Sequence, residues 1–185
     1  MPLKVGDPAP QFEAQTSGGH AISLSEYRGR AVWLVLFRYA ACPFCARRVH
    51  ELIECHSRIQ SAGLNVLAVF PSPPHRIEKY VATYRPPFPT ISDPKEDLYN
   101  KYHATKSAMG ALRSAARLGR LASTLKFAPN SPLAVDNSPF RIPAEFLIDA
   151  SQRIARAYYG SEIDDGIPID EALELAPSLA GGVAR

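Results

Sequence analysis

Cys42 and Cys45, three positions apart in Cys42-Pro43-Phe44-Cys45, are the residues of this chain best suited to chemistry. Thiols at that spacing can close a small disulfide ring or share the charge of one thiolate, and outside a secretory context they read as a redox pair. The pair follows the apolar run Ala31–Phe37 and opens a helix-like stretch, Pro43–Ser61. At a helix start, unpaired N–H groups and the helix dipole favour an anion, and proline suits the first helical position. Cys42 is therefore predicted to be an exposed, acidic nucleophile. Cys45, on the core-facing stripe, is the predicted shielded partner that resolves a mixed disulfide. Arg38, Arg47 and Arg48 are near enough in sequence to add positive field, although the ordinary expectation for each is a surface arginine.

Two other uses of these thiols compete. Cys42, Cys45, Cys55 and His56 form a nominal zinc set, but along one helix the last two point away from the first two, so no metal is expected. Ten residues of continuous helix separate Cys45 from Cys55 by ~15 Å, beyond the ~4.4–6.8 Å between Cα atoms that a disulfide requires. Cys55 is expected to be a buried, inert thiol. A purely structural role for Cys42 and Cys45 as two core thiols is the bland alternative.

Net charge of +3 over 185 residues is only mildly basic and does not by itself imply a nucleic-acid partner. The N-terminus has no apolar signal core, and no run approaches the ~18 apolar residues of a membrane span. Three cysteines are too few for a disulfide framework. Together these features predict a cytoplasmic chain whose thiols are kept reduced, with no metal or organic cofactor.

The elements that must hold the pair follow from pattern. Gln11–Ala14 and Ala21–Ser23 flank Ser17-Gly18-Gly19 and predict an N-terminal hairpin. Ala31–Phe37 and Leu64–Phe70 are continuous apolar runs, the pattern of strands covered on both faces. Helices are expected over Pro43–Ser61, Arg76–Tyr84, from Ser92-Asp93-Pro94 to about Tyr102, and from Asp170, with a short strand at Thr90–Ser92. Phe146–Asp149 and Ile154–Tyr159 form a second hairpin. The sum is one α/β domain over 1–185, a central mixed sheet with helices on both faces. Ala104–Lys126 falls outside that scheme. It carries Lys106, Arg113, Arg117, Arg120 and Lys126 without an acidic residue, and reads as a helical insert with a solvated basic face. A contact with a second copy, an anionic partner or a membrane surface are its alternatives.

Val5-Gly6-Asp7-Pro8-Ala9-Pro10-Gln11-Phe12, then Ile22-Ser23-Leu24-Ser25-Glu26-Tyr27-Arg28-Gly29-Arg30, an apolar strand and the cysteine resemble the alkyl hydroperoxide reductase/thiol-specific antioxidant branch of the thioredoxin superfamily. Within it the chain is similar to peroxiredoxin-like proteins with a Cys-x-x-Cys. The resemblance covers roughly residues 3–102 and 139–160. It implies a thioredoxin-like fold, and makes Pro143 a cis proline facing the cysteines, with Ile142 beside it as a substrate-docking edge. The chain departs from the peroxiredoxin signature. Val35 and Tyr39 stand where a proline and a threonine or serine precede the peroxide-reactive cysteine, and Pro143 stands where the strand arginine belongs. Arg38 or Arg141 could supply the guanidinium instead. Thioredoxin's buried aspartate is replaced by Leu36, and Glu145 is either a substitute proton acceptor or a salt-bridged glutamate.

The expected activity is thiol–disulfide exchange: Cys42 attacks, Cys45 resolves, and Ile142 and Pro143 dock the substrate, with Arg38, Tyr39 and Glu145 in support. The substrate would be a protein or small-molecule disulfide, and an external thiol would reduce the pair. A two-cysteine peroxidase using the same residues is the alternative. A non-enzymatic, redox-regulated binding protein is the reading from another class.

Overall fold

The computed structural model describes residues 1–104, 138 and 140–180. Apart from Ala104, the basic stretch Ala104–Lys126 lies outside the described residues, as does Pro139.

One seven-stranded mixed sheet organises the chain, in the order β2-β1-β5-β4-β3-β6-β7. β3 (Ala31–Leu36) is central and β4 (Leu64–Phe70) runs parallel beside it. β5 (Thr90–Ser92) continues the parallel part. β6 (Ala144–Ile148) and β7 (Ile154–Tyr159) add antiparallel strands on the other side. β1 (Glu13–Thr16) and β2 (Ala21–Ser23) make the N-terminal hairpin, docked on β5.

The seven-residue apolar run around β3 is explained by its surroundings. Successive side chains point to opposite faces of a strand, and both faces of β3 are covered. Trp33 and Val35 pack with Val49, Leu52 and Ile59, and with Ala172 and Ala176 of the C-terminal helix. Val32, Leu34 and Leu36 pack against Leu98, Tyr99, Tyr102 and Phe146. The helices are α1 (Pro43–Glu54), α2 (His56–Ser61), α3 (Pro74–Tyr80), α4 (Asp97–Lys101) and α5 (Ile169–Leu179). The expected α/β architecture, with helices on both faces of a mixed sheet, is the one found.

Several boundaries differ from expectation, each for a local reason. The first hairpin strand starts two residues later, because Thr16 N–H binds His20 O and Thr16 pairs with Ile91 of β5. The helix over Pro43–Ser61 breaks at Cys55, whose φ of −93° and ψ of 2° leave the helical region. α2 resumes with Ile59 in the core, and Gly63, at φ +84°, turns the chain into β4. The helix expected over Arg76–Tyr84 is α3 followed by a 3-10 turn at Ala82–Tyr84. α4 begins only at Asp97, with the Asp93 carboxylate accepting the N–H groups of Asp97 and Leu98 at 2.9 and 2.8 Å. β6 starts at Ala144 rather than Phe146, because Ala144 and Glu145 already pair with Leu36 and Val35.

Candidate active site

The site lies where β3 ends and α1 begins. Phe37 N–H extends the ladder to Val69 O, and the Phe37 ring stacks on Phe70 at 4.5 Å. The Tyr99 hydroxyl sits 2.7 Å from Phe37 O and 2.9 Å from Val69 O, fixing the end of the strand from the α4 side. Ala40 N–H then binds Ser72 Oγ and Cys42 N–H binds Tyr39 O, turning the chain into α1.

Cys42 is the N-cap of α1 and Pro43 its first residue, as the sequence predicts. Both thiols are reduced. Their exposure is not as predicted. Cys42 is completely buried at 0% and Cys45 is 4% exposed, so the expected exposed nucleophile is as enclosed as its partner. Cys45, with Phe44, Pro143 and Ile163, lines a narrow cleft whose wall also carries Arg48, Glu145 and Asp164. Cys55 is half-buried and not fully enclosed, a second departure.

Arg38 is the neighbour that matters most to Cys42. It is a buried arginine rather than a surface one. Its Nη1 donates to Cys42 Sγ at 3.2 Å, its Nε donates to Arg141 O at 2.7 Å, and its guanidinium lies over the Tyr39 ring. Arg38 thus holds a position the sequence marks only as an alternative. Arg141 is buried, ion-paired through Nη2 to Glu96 at 2.6 Å and stacked 4.3 Å from the Tyr99 ring. It acts on the site through its carbonyl.

These contacts divide the charge unequally. Burial pushes the Cys42 thiol up, but the hydrogen bond from Cys45, the Arg38 charge and the N–H groups of Cys45 and Phe44 outweigh it and bring Cys42 down to about 6. Burial and the adjoining Cys42 thiolate push Cys45 well up. At neutral pH the pair therefore holds one thiolate, on Cys42, and one proton, on Cys45.

Glu145 is not a free proton acceptor. Its carboxylate takes Trp33 Nε1 at 3.0 Å, Arg48 Nε and Nη2 at 3.0 and 2.9 Å, and Ile167 N–H at 3.1 Å. Arg48 Nη2 also donates to Ile167 O at 2.6 Å. A Cβ on Gly166 would meet Glu145 Oε1 at 2.5 Å, so this close approach needs glycine. Arg48, expected at the surface, is instead the partly buried partner of the buried Glu145. Its place three residues after Cys45 on α1 was the available sequence signal. Arg47 is half-buried and pairs with Glu51 and Asp164.

Pro143 faces the cleft with Cys45, whereas Ile142 is buried. The expected cis bond is absent: no peptide bond among the described residues is cis, so Ile142–Pro143 is trans. The Pro143 carbonyl is taken by Gly160 N–H at 3.0 Å. Tyr39 packs under Arg38 and accepts Cys42 N–H, which makes it a support for the loop.

The AhpC/TSA family model matches residues 5–157. A Mycobacterium tuberculosis protein bearing a provisional peroxiredoxin name is 26% identical over 154 residues, 83% of this chain and 92% of its own length. The thiol-disulfide oxidoreductase ResA of Geobacillus kaustophilus is 31% identical over 102 residues, 55% of this chain and 58% of its own. The crystal structure of peroxidoxin BcpB from M. tuberculosis superposes with a TM-score of 0.68 at 16% identity, covering 96% of this chain and 98% of that one, and has the same fold.

Proposed function

The chain belongs to the AhpC/TSA family and is a thiol-dependent oxidoreductase; on that premise we propose that it catalyses thiol–disulfide exchange by cycling Cys42 and Cys45 between dithiol and disulfide. The observation that carries this reading is the Arg38 guanidinium 3.2 Å from Cys42 Sγ at the N-cap of α1, with the Cys45 thiol on the first turn of the same helix. A thiolate, not a thiol, breaks a disulfide, and an adjacent thiol limits the lifetime of the mixed species. Cys42 supplies the nucleophilic charge. Cys45 completes the disulfide, which an external thiol reduces. Pro143 borders the cleft that receives the partner, and Ile142 beside it is buried. A reducing cytoplasm, where such thiols persist, suits this cycle. No described helix is long and apolar enough to cross a membrane.

Reduction of insulin disulfides with dithiothreitol as electron source tests the proposal. Wild type is expected to accelerate insulin precipitation, and Cys42→Ser and Cys45→Ser to lose turnover. A wild-type rate equal to that of dithiothreitol alone rejects it.

One observation favours a second reading, a two-cysteine peroxidase. Arg38 Nη1 on Cys42 Sγ supplies a guanidinium at the sulfur although the peroxiredoxin spacing is missing. A peroxide would transfer oxygen to Cys42, giving a sulfenic acid and an alcohol or water. Cys45 would then condense with it, releasing water. Stopped-flow oxidation by hydrogen peroxide separates the two, since fast, saturating disulfide formation moves the assignment to the peroxidase.

A further inference from the structure

Resting on the reading of Cys42 as the attacking thiolate, we propose that Glu96 is a positioning residue for it: Glu96 fixes Arg141, the Arg141 carbonyl fixes Arg38, and Arg38 holds the Cys42 sulfur. The three residues of this relay come from the loop after β3, the turn into α4 and the segment before β6. None of them lines the cleft.

The distances define the relay. Glu96 Oε2 accepts Arg141 Nη2 at 2.6 Å, Arg141 O accepts Arg38 Nε at 2.7 Å, and Arg38 Nη1 donates to Cys42 Sγ at 3.2 Å. A planar guanidinium held at Nε and at Nη1 cannot turn without losing one of those bonds. The Arg141 carbonyl therefore decides where the Arg38 charge stands relative to the sulfur.

That carbonyl is only as fixed as the Arg141 side chain. Arg141 is 1% exposed, and its Nε and Nη1 are buried without a hydrogen-bond partner among the described residues. A buried cation with two unused donors is held in place by the ionic bond it does make. With the Glu96 carboxylate removed, the charge is drawn toward water. The main chain at Arg141, whose N–H closes a turn onto Ser138 O at 3.2 Å, moves with it and takes the anchor of Arg38 away.

Glu96 is itself a fixed point. Its φ of 62° and ψ of 26° place a residue with a long side chain in the left-handed region, where glycine is at ease. Its N–H binds Asp93 O at 3.0 Å, and its carbonyl accepts Asn100 N–H at 2.9 Å. The start of α4 thus aims the carboxylate at Arg141 through a strained backbone, a conformation that persists only where the surroundings impose it.

A direct electrostatic role for Glu96 predicts the opposite sign. Removing an anion near a thiol makes the thiolate easier to form, whereas loosening Arg38 makes it harder. Cys42, brought to about 6 with Arg38 and Cys45 against it, reports which effect wins.

The test titrates the reduced protein by ultraviolet thiolate absorbance in a Cys55→Ser background, with Cys42→Ser identifying the Cys42 step. Glu96→Gly removes the carboxylate and suits the positive φ. It is expected to raise Cys42 by on the order of one pH unit, an about tenfold fall in the ratio of thiolate to thiol at a given pH. Glu96→Gln, which keeps an acceptor for Nη2, is expected to raise it by less. In an Arg38→Met background Glu96→Gly is expected to have no further effect, because the relay is already cut. A folded Glu96→Gly protein that titrates like wild type, or at lower pH, overturns the proposal, and so does a shift of equal size with and without Arg38. Should Glu96→Gly fail to fold, Glu96→Gln is judged by the same outcomes. The titration needs no substrate, so an insulin-inactive wild type rejects exchange without deciding the relay, and a relay that fails leaves exchange standing.

Discussion

Arg38 is buried and Arg48 partly buried at one end of the sheet, and their partners differ in kind. Arg48 grips the Glu145 carboxylate with two hydrogen bonds, and Trp33 and Ile167 N–H share the same anion. Arg38 donates to a carbonyl and to the Cys42 sulfur, whose charge vanishes on protonation or on oxidation. The first pairing is permanent and holds α1, β3, β6 and the segment leading into α5 together. The second is conditional and ties the field at the site to redox state. One cation chemistry builds the scaffold in one place and sets reactivity in the other, according to whether the partner's charge can change.

The largest effect is expected where the permanent pair is broken. Glu145→Leu leaves the Arg48 guanidinium, the Trp33 N–H and the Ile167 N–H without their acceptor. Breaking a buried pair from one side costs about 3–5 kcal/mol, read as a lower urea midpoint of the reduced protein. Glu145→Leu with Arg48→Met is expected to recover part of the loss, because the stranded charge goes too. A Glu145→Leu protein as stable as wild type would mean that the pair does not hold the scaffold.

The conditional pair is expected to show itself through pH. Cys42 falls from an ordinary thiol value to about 6 on folding. Between pH 6 and the unfolded thiol value of ~8.5, the unfolded chain keeps a proton that the folded one has released, so stability of the dithiol form rises with pH. Below pH 6 that contribution is lost. Cys45 works the other way: it is raised on folding, so above ~8.5 the unfolded chain loses its proton first and stability falls again. The reduced protein should therefore gain a few kcal/mol relative to Cys42→Ser from pH 6 to ~8.5, and then decline. Urea midpoints at several pH values measure this. The disulfide form should lack the rise, while Glu145→Leu should keep it. A flat difference between reduced wild type and Cys42→Ser would show that Cys42 is not the group that ionises.

Arg38→Met is expected to act on reactivity more than on folding. Loss of the guanidinium removes both a charge and a hydrogen bond from the thiolate, raising Cys42 by on the order of one to two pH units. Ultraviolet thiolate absorbance against pH reads the shift directly. Disulfide exchange at pH 7 should fall about tenfold and recover toward wild type at higher pH, as the thiolate reforms. A loss of rate that does not recover would make Arg38 a positioning group, with no part in thiolate charge.

The permanent and conditional parts were unequally legible in the sequence. β3 was visible because burial on both faces leaves an unbroken apolar run, and the start of α1 because Pro43 suits only its first turn. Glu145 and Arg48 are 97 residues apart, so no local spacing could pair them. Glu145 also extends β6 beyond the apolar residues that define it. Arg38 is four residues before Cys42, but in a loop where that spacing carries no geometric meaning. A helix start announces that an anion is favoured at Cys42, yet not what covers the sulfur. Burial of both cysteines and the place of Cys45 on the cleft wall come from residues remote in the chain, including Pro143 and Ile163.

A surface pair supplies the smallest effect and the sharpest control. Arg58 Nη2 of α2 meets Asp170 Oδ1 of α5 at 3.0 Å, almost the distance of Arg48 from Glu145, but the two side chains are 62% and 81% exposed. Water screens both charges, and holding two long side chains in one geometry opposes the remaining attraction. Arg58→Ala is expected to change stability by less than about 0.5 kcal/mol, with the better helix propensity of alanine offsetting part of any loss. Urea unfolding at low and high salt measures it. If Arg58→Ala instead costs as much as Glu145→Leu, distance and not burial decides what an arginine–carboxylate pair is worth here, and the contrast between Arg48 and Arg38 loses its physical basis.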